Sequence, residues 1–231
     1  MRKGLVIGLI VLIGLVIAAD RIGLRVAQDE IAKSVASQYQ LDHKPKVTIK
    51  GFPFLTQAVD GKYDEIDVYV GDLPQLGVKL TNTTVALKGV KAPMSDAVKG
   101  DSSKMIADSA VSTATVGYAD VDKEAPKGMK VSATGSALQV HGPVTVLGVS
   151  RTVTATVTVQ PAGRSVRVLP QTVKTGGATL PIGLVQQAFS FTMPVKGLPL
   201  GTRISEVRVE PDGLRVSTSA EHVKLSSLNE R

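Results

Sequence analysis

The sequence predicts an α+β fold, in which a long N-terminal amphipathic helix is wrapped by a curled antiparallel β-sheet. Three observations carry this prediction. Residues 20–41 place apolar side chains at steps of three and four, the period of one helix face. From Lys46 onward, run after run alternates apolar with polar residues, the period of a half-buried strand. Several of these runs are joined by short Pro/Gly turns, which make antiparallel neighbours.

The elements follow in order. Arg2 and Lys3 precede "GLVIGLIVLIGLVIAA", Gly4 to Ala19, which is 16 residues without a charge. A basic start before an apolar run marks a membrane signal, and residues 1–19 read as a signal anchor or a cleaved signal peptide. The basic pair stays on the cytoplasmic side and the remainder is exported. Residues 20–231 then form a single domain. Its first element is the amphipathic helix, with Ile22, Leu24, Val26, Ala27, Ile31 and Val35 assigned to the apolar side and Arg25, Asp29, Lys33 and Ser37 to another. Pro45 cannot continue the helix.

"YDEIDVYVG" alternates strictly, with Ile66, Val68 and Val70 on one face and Glu65, Asp67 and Tyr69 on the other. "LGVKLTNTTVALKGV" is a long strand with a bulge expected at Asn82–Thr83. Residues 93–110 are the least strand-like stretch and are expected to hold one or two short helices broken at Gly100. "SRTVTATVTV" and "SVRVLP" form a hairpin with its turn at Pro161 to Gly163. "ISEVRVE" and "LRVSTSA" form a second hairpin around Pro211-Asp212-Gly213. Between them, a short helix is expected after Pro181 and before Pro194, with Leu184, Val185, Ala188 and Phe189 at helical spacing.

Composition excludes several chemistries. There is no Cys in 231 residues, which removes thiol catalysis, iron–sulfur clusters and Cys-type zinc sites. The net charge is +7, yet Lys and Arg are scattered rather than clustered with aromatics, so nucleic acid is not the expected partner. His43, His141 and His222 stand apart, without metal-ligand spacing, and no metal or cofactor is expected. There is no G-x-S-x-G elbow. "GDSS", Gly100 to Ser103, lies in a polar segment rather than on a strand leading into a helix. Glu65 and Asp67 read as a solvated face, and the absence of Trp argues against sugar stacking. No catalytic residue is assigned, and the chain is not expected to be an enzyme.

The chain has four Phe, in two pairs: "IKGFPFLTQ" holds Phe52 and Phe54, and "AFSF" holds Phe189 and Phe191. Pro53 makes the first stretch a poor central strand and a better edge strand or corner. Phe52, Phe54, Leu55, Phe189, Phe191 and Met193 are the candidate residues for apolar ligand contact, each alternatively an ordinary core residue.

"GFPFLTQ" followed by "GKYDEIDV", together with the "LPLGTRISEVRVEPDGLRVS" hairpin, resembles the LmeA-like phospholipid-binding proteins of actinobacteria. The resemblance covers about residues 20–228. It implies a sheet curled around a long helix, akin to one half of a tubular lipid-binding (TULIP-like) module. It also implies a membrane-associated envelope protein that binds phospholipids, including phosphoinositides, and supports lipoglycan (lipomannan) synthesis. Phospholipids and, through the N-terminal segment, the membrane are therefore the expected partners. Two other readings stay open: an envelope structural or adaptor domain with protein partners, and a lipid-modifying enzyme.

Overall fold

A computed structural model of the chain describes residues 2–75, 77–93, 96, 103–146, 149–174, 182–195, 198 and 201–228. It is α+β, as the sequence predicts, with one long N-terminal helix and two antiparallel sheets. Helix α1 (Arg2–Gln38) runs unbroken from the apolar segment into the amphipathic one. The strands are β1 (Lys46–Lys50), β2 (Lys62–Gln75), β3 (Val78–Lys91), β4 (Ile106–Gly117), β5 (Lys130–Thr134), β6 (Ala137–Val146), β7 (Val149–Ala162), β8 (Ser165–Lys174), β9 (Phe191–Pro194), β10 (Arg203–Glu210) and β11 (Gly213–Lys224). Three short helices complete it: α2 (Phe54–Asp60), α3 (Tyr118–Glu124) and α4 (Ile182–Phe189). The strands divide between a six-stranded sheet, β1-β2-β3-β4-β11-β10, and a five-stranded sheet, β5-β6-β7-β8-β9.

The chain forms two compact units. The first comprises Met1–Val70, Thr84–Ala110 and Glu221–Arg231. In it α1 packs on β1 and α2. β1 buries Val47 and Ile49, and β2 buries Ile66, Val68 and Val70, the face its alternation predicts. Ala32 of α1 is buried, and Leu24, Ala27, Ile31 and Val35 are half-buried around it. Ile22 and Val26 depart from the expectation. They are 61% and 57% exposed, because the packed stripe of α1 runs through Asp20, Gly23/Leu24, Ala27, Ile31/Ala32 and Val35.

The second unit comprises Gly71–Thr83 and Val111–Ala220. Its core is built from Leu138, Val140, Val144, Val153, Ala155, Val157, Val168, Phe189, Met193 and Leu214, with Val207 and Val209 of β10 packed against it. The inward face of β7 is Val153, Ala155 and Val157, as its alternation predicts. Helix α3 has no counterpart in the sequence reading. Its Tyr118 hydroxyl donates to the Glu210 carbonyl at 2.6 Å and lies 3.1 Å from that of Gly213, which ties the β10–β11 hairpin down.

Two expectations change. The β7–β8 turn is Gly163-Arg164 rather than Pro161 to Gly163, since Pro161 and Ala162 pair with Val166 and Ser165, and Gly163 supplies the positive φ of 69°. Pro161 is tolerated there because β6 has ended before it and its missing N–H faces no neighbour. Residues 106–110, expected as helix, begin β4; most of the stretch around Gly100 lies outside the described residues. The irregularity at Asn82 is real, with φ at 52° inside β3.

Candidate functional site

The "IKGFPFLTQ" stretch is a corner followed by a helix. β1 ends at Lys50, Gly51 turns the chain with φ at 97°, the Phe52–Pro53 peptide is cis, and α2 starts at Phe54. Each residue of the motif has a local reason. A Cβ on Gly51 would lie 2.5 Å from Gln57 Nε2 and 2.7 Å from Asp64 Oδ2, so only glycine fits. Gln57 staples the corner, its Nε2 donating to the Lys50 carbonyl at 3.2 Å and its Oε1 accepting from the Asp64 N–H at 3.0 Å. Pro53 precedes the first helical residue, and Gly61, with φ at 63°, closes the helix by donating its N–H to the Gln57 carbonyl. The ends of α2 are thus set by a Pro and a Gly.

Helix α2 then sorts its side chains. Phe54 and Ala58, four residues apart, point inward at 5% and 0% exposure, and the Phe54 ring lies 6.3 Å from that of Tyr63. Leu55 and Val59, the next i,i+4 pair, point outward at 37% and 80% exposure, and Phe52 beside them is 65% exposed. Phe52, Leu55 and Val59 thus form an exposed apolar group beside the buried Phe54 and Ala58.

α1 meets α2 at the end of the apolar run. Asp20, 1% exposed, accepts the Leu55 N–H at 2.8 Å on Oδ1, and its Oδ2 accepts from Arg21 Nε at 3.1 Å. The carboxylate satisfies one of the orphan donors at the start of α2. The Arg21 guanidinium lies 5.0 Å from the centre of the Phe52 ring, a cation–π contact. Gly23 lets α2 approach, since a Cβ there would sit 3.4 Å from Leu55 Cδ2 and 3.6 Å from Phe54 Cε1. Sequence reasoning missed Asp20, Arg21 and Gly23 as partners of the Phe-Pro-Phe corner, because the pairing spans more than 30 residues of chain.

The first unit also holds an open depression of about 390 Å³ at the far end of α2, lined by Val59, Asp60, Gly61, Lys62, Lys91, Pro93 and Lys104. Three ammonium groups line it. Lys91 pairs with Asp108 at 3.0 Å, an exposed pair of the kind worth little, and Lys104 reaches the buried Asp96 at 3.7 Å. Glu65 and Asp67 face the same lysine. Both engage Lys50, at 2.6 and 2.7 Å, and with Asp67 the stronger influence they hold its ammonium above the ordinary lysine value.

The other three candidate residues lie in the second unit. Phe189 ends α4 at 0% exposure, Met193 is buried on β9 opposite Val166, and Phe191 is half-buried opposite Val168. The side chains of Leu184, Val185 and Ala188 lie outside the described residues. The histidines are apart. His43 Nε2 is 2.6 Å from the Val70 carbonyl, His141 Nδ1 is 2.9 Å from Thr154 Oγ1, and His222 occupies a positive-φ position in β11. Among the described residues no three His, Asp or Glu side chains cluster as metal ligands, and one helix, α1, is long and apolar enough to cross a membrane.

Residues 18–219 match the model of a family described as LmeA-like phospholipid-binding. The match begins two residues before Asp20, takes in the Phe-Pro-Phe corner and the strands of both sheets, and ends within β11. No curated protein and no solved structure matches the chain.

Proposed function

The chain belongs to the LmeA-like phospholipid-binding family, and on that premise we propose that it is a non-enzymatic phospholipid-binding protein of the cell envelope, held at the membrane by α1. The observation that carries this reading is the exposed apolar surface of Phe52, Leu55 and Val59, bonded through the Leu55 N–H and Asp20 to the end of the apolar run of α1. Residues 1–19 serve as the anchor or signal, and residues 20–231 act as one lipid-binding domain, since β2, β3, β4 and β11 each contribute residues to both compact units.

Burial of acyl chains at about 25 cal/mol per Å² supplies the affinity. Phe52 and Leu55 are the first-choice acyl contacts because they are accessible. Phe54 in the first unit, and Phe189, Phe191 and Met193 in the second, complete the set as residues an acyl chain would meet on entering the packed core of that unit. The headgroup phosphate is assigned to Lys62, Lys91 and Lys104, whose ammonium groups share one depression with the apolar Val59. Phosphoinositides, with their extra negative charge, suit that trio. A role in lipoglycan synthesis and a likeness to half of a tubular lipid-binding module belong to the same proposal.

Vesicle co-flotation tests it. Residues 20–231 are expected to float with vesicles containing phosphatidylinositol and to stay behind with none present. Equal recovery in the unbound fraction with and without anionic vesicles would leave the family's lipid role without support in this chain.

A further inference from the structure

The uncharged run, Gly4 to Ala19, is 16 residues, which at 1.5 Å per residue covers about 24 Å. The hydrocarbon core of a bilayer is about 30 Å thick and takes about 20 residues to cross. The run is therefore about four residues short, and the missing length is Asp20, Arg21, Ile22 and Gly23. Two of these carry charge, yet neither is presented bare. Asp20 is 1% exposed, covered by the Leu55 backbone and paired with Arg21. Arg21 lays its guanidinium over the Phe52 ring, and its side chain, 42% exposed, is long enough to reach a phosphate layer. Beside Arg21 and Thr56, this level of the molecule presents large apolar side chains outward: Ile22 at 61%, Phe52 at 65% and Leu55 at 37% exposure.

Resting on the reading that α1 crosses the membrane, we infer that the Phe52–Leu55 corner is a foot sunk into the bilayer around the C-terminal end of the apolar run, so that α1 and α2 together complete the span. The lipid touched by Phe52 and Leu55 is then bilayer lipid, and Asp20 is the internal bond that fixes the foot at that depth. The occupant is the acyl region just beneath the headgroups. The apolar surface of α1 is continuous with the foot through the Gly23–Leu55 contact, and the span is short by the height of that contact. A carboxylate placed at this depth without α2 over it would face lipid, so the two features require each other.

The chain has no Trp, so a single introduced indole reports without background. Full-length V11W and F52W are reconstituted into phosphatidylcholine/phosphatidylglycerol vesicles made with lipids brominated near the top of the acyl chains or near their ends. The expected result is quenching of V11W most strongly by the deep bromines. F52W should be quenched by the shallow bromines, with blue-shifted emission and protection from aqueous acrylamide. If V11W is quenched while F52W stays open to acrylamide and blind to both bromolipids, the helix spans and the foot is overturned. If neither is quenched, the spanning reading falls and the foot falls with it. Phe52 is exposed enough for Trp to fit, and I22W at the same level is the second reporter. A quenched I22W beside an unquenched F52W likewise overturns the foot.

Discussion

Phe52 and Phe54 sit two residues apart and should fail in opposite ways when truncated. Phe54 is 5% exposed and packs on Gly23 of α1 and on Tyr63. Truncating a buried Phe to Ala typically costs about 3–5 kcal/mol, so F54A should lower the unfolding free energy by that amount. Phe52 is 65% exposed, and surface substitutions usually stay within about 0.5 kcal/mol. Its effect should appear in lipid instead. A Phe side chain of roughly 200 Å² that is 65% exposed offers about 130 Å² to an acyl phase, which at about 25 cal/mol per Å² is about 3 kcal/mol if fully immersed. Alanine keeps part of this, and immersion at the interface is incomplete. About half should be lost, a fall of about tenfold in vesicle partition. Denaturant melts and vesicle co-sedimentation of F52A and F54A in residues 20–231 give both numbers. An F52A variant that unfolds like F54A, or that partitions like the wild type, would refute the division of the motif into an inward and an outward Phe.

Gly51→Ala forces a side chain into φ 97° and to within 2.5 Å of Gln57 Nε2; strain of this kind costs about 1–3 kcal/mol, and thermal melting should show a lowered midpoint. Replacing Lys62, Lys91 and Lys104 with Glu should abolish preference for anionic over zwitterionic vesicles, and the salt sensitivity of binding should go with it; retained preference would place the headgroup elsewhere. In the second unit, Lys123 Nζ and the Lys79 N–H, which lies 3.1 Å from Asp120, hold the Asp120 carboxyl below its ordinary value of 3.8, against a smaller upward push from burial. A depressed carboxylate stabilises the fold above its unfolded value, and that contribution disappears as the pH falls through the lower folded value. Stability should therefore drop below about pH 4, and D120N should be less stable at neutral pH with a shallower acid limb in urea titrations.

The parts of the fold legible in the sequence are those whose burial follows a simple period. β2 and β7 alternate cleanly because one face is core and the other is polar, and the β10–β11 hairpin is announced by Pro211-Asp212-Gly213. The helix α1 was legible as a helix but its faces were not. Periodicity groups Ile22 and Val26 with the apolar side, yet it cannot tell a side chain facing protein from one facing lipid or solvent. α2 and α3 are seven residues each, too short for a periodic signal, and Pro53 reads as a strand breaker before it reads as a helix start. The pairs bracketing α2, Pro53 with Gly61 and Phe54 with Ala58, were the available cue. β4 was obscured at its start because the residues before it, Asp101 to Lys104, are polar and its own Ala107, Ser109 and Ser112 carry little β signal. The candidate site was half legible: the aromatic scarcity pointed to Phe52 and Phe54, while Asp20, whose bond to Leu55 crosses 35 residues, left no local trace.

The central claim is that this chain holds phospholipid, and the most direct measurement is the lipid that stays with it. Full-length protein, purified in mild detergent, is extracted with organic solvent and its phospholipids are quantified by mass spectrometry against a single-span membrane protein of similar length prepared in parallel. The account predicts phospholipid at a defined ratio to protein, enriched in anionic headgroups over the control and lowered in the Lys62/Lys91/Lys104→Glu variant. Phospholipid no richer than the control's in amount or headgroup, with no uptake of a fluorescent phospholipid from vesicles, would contradict it and favour an adaptor whose sheets meet protein instead.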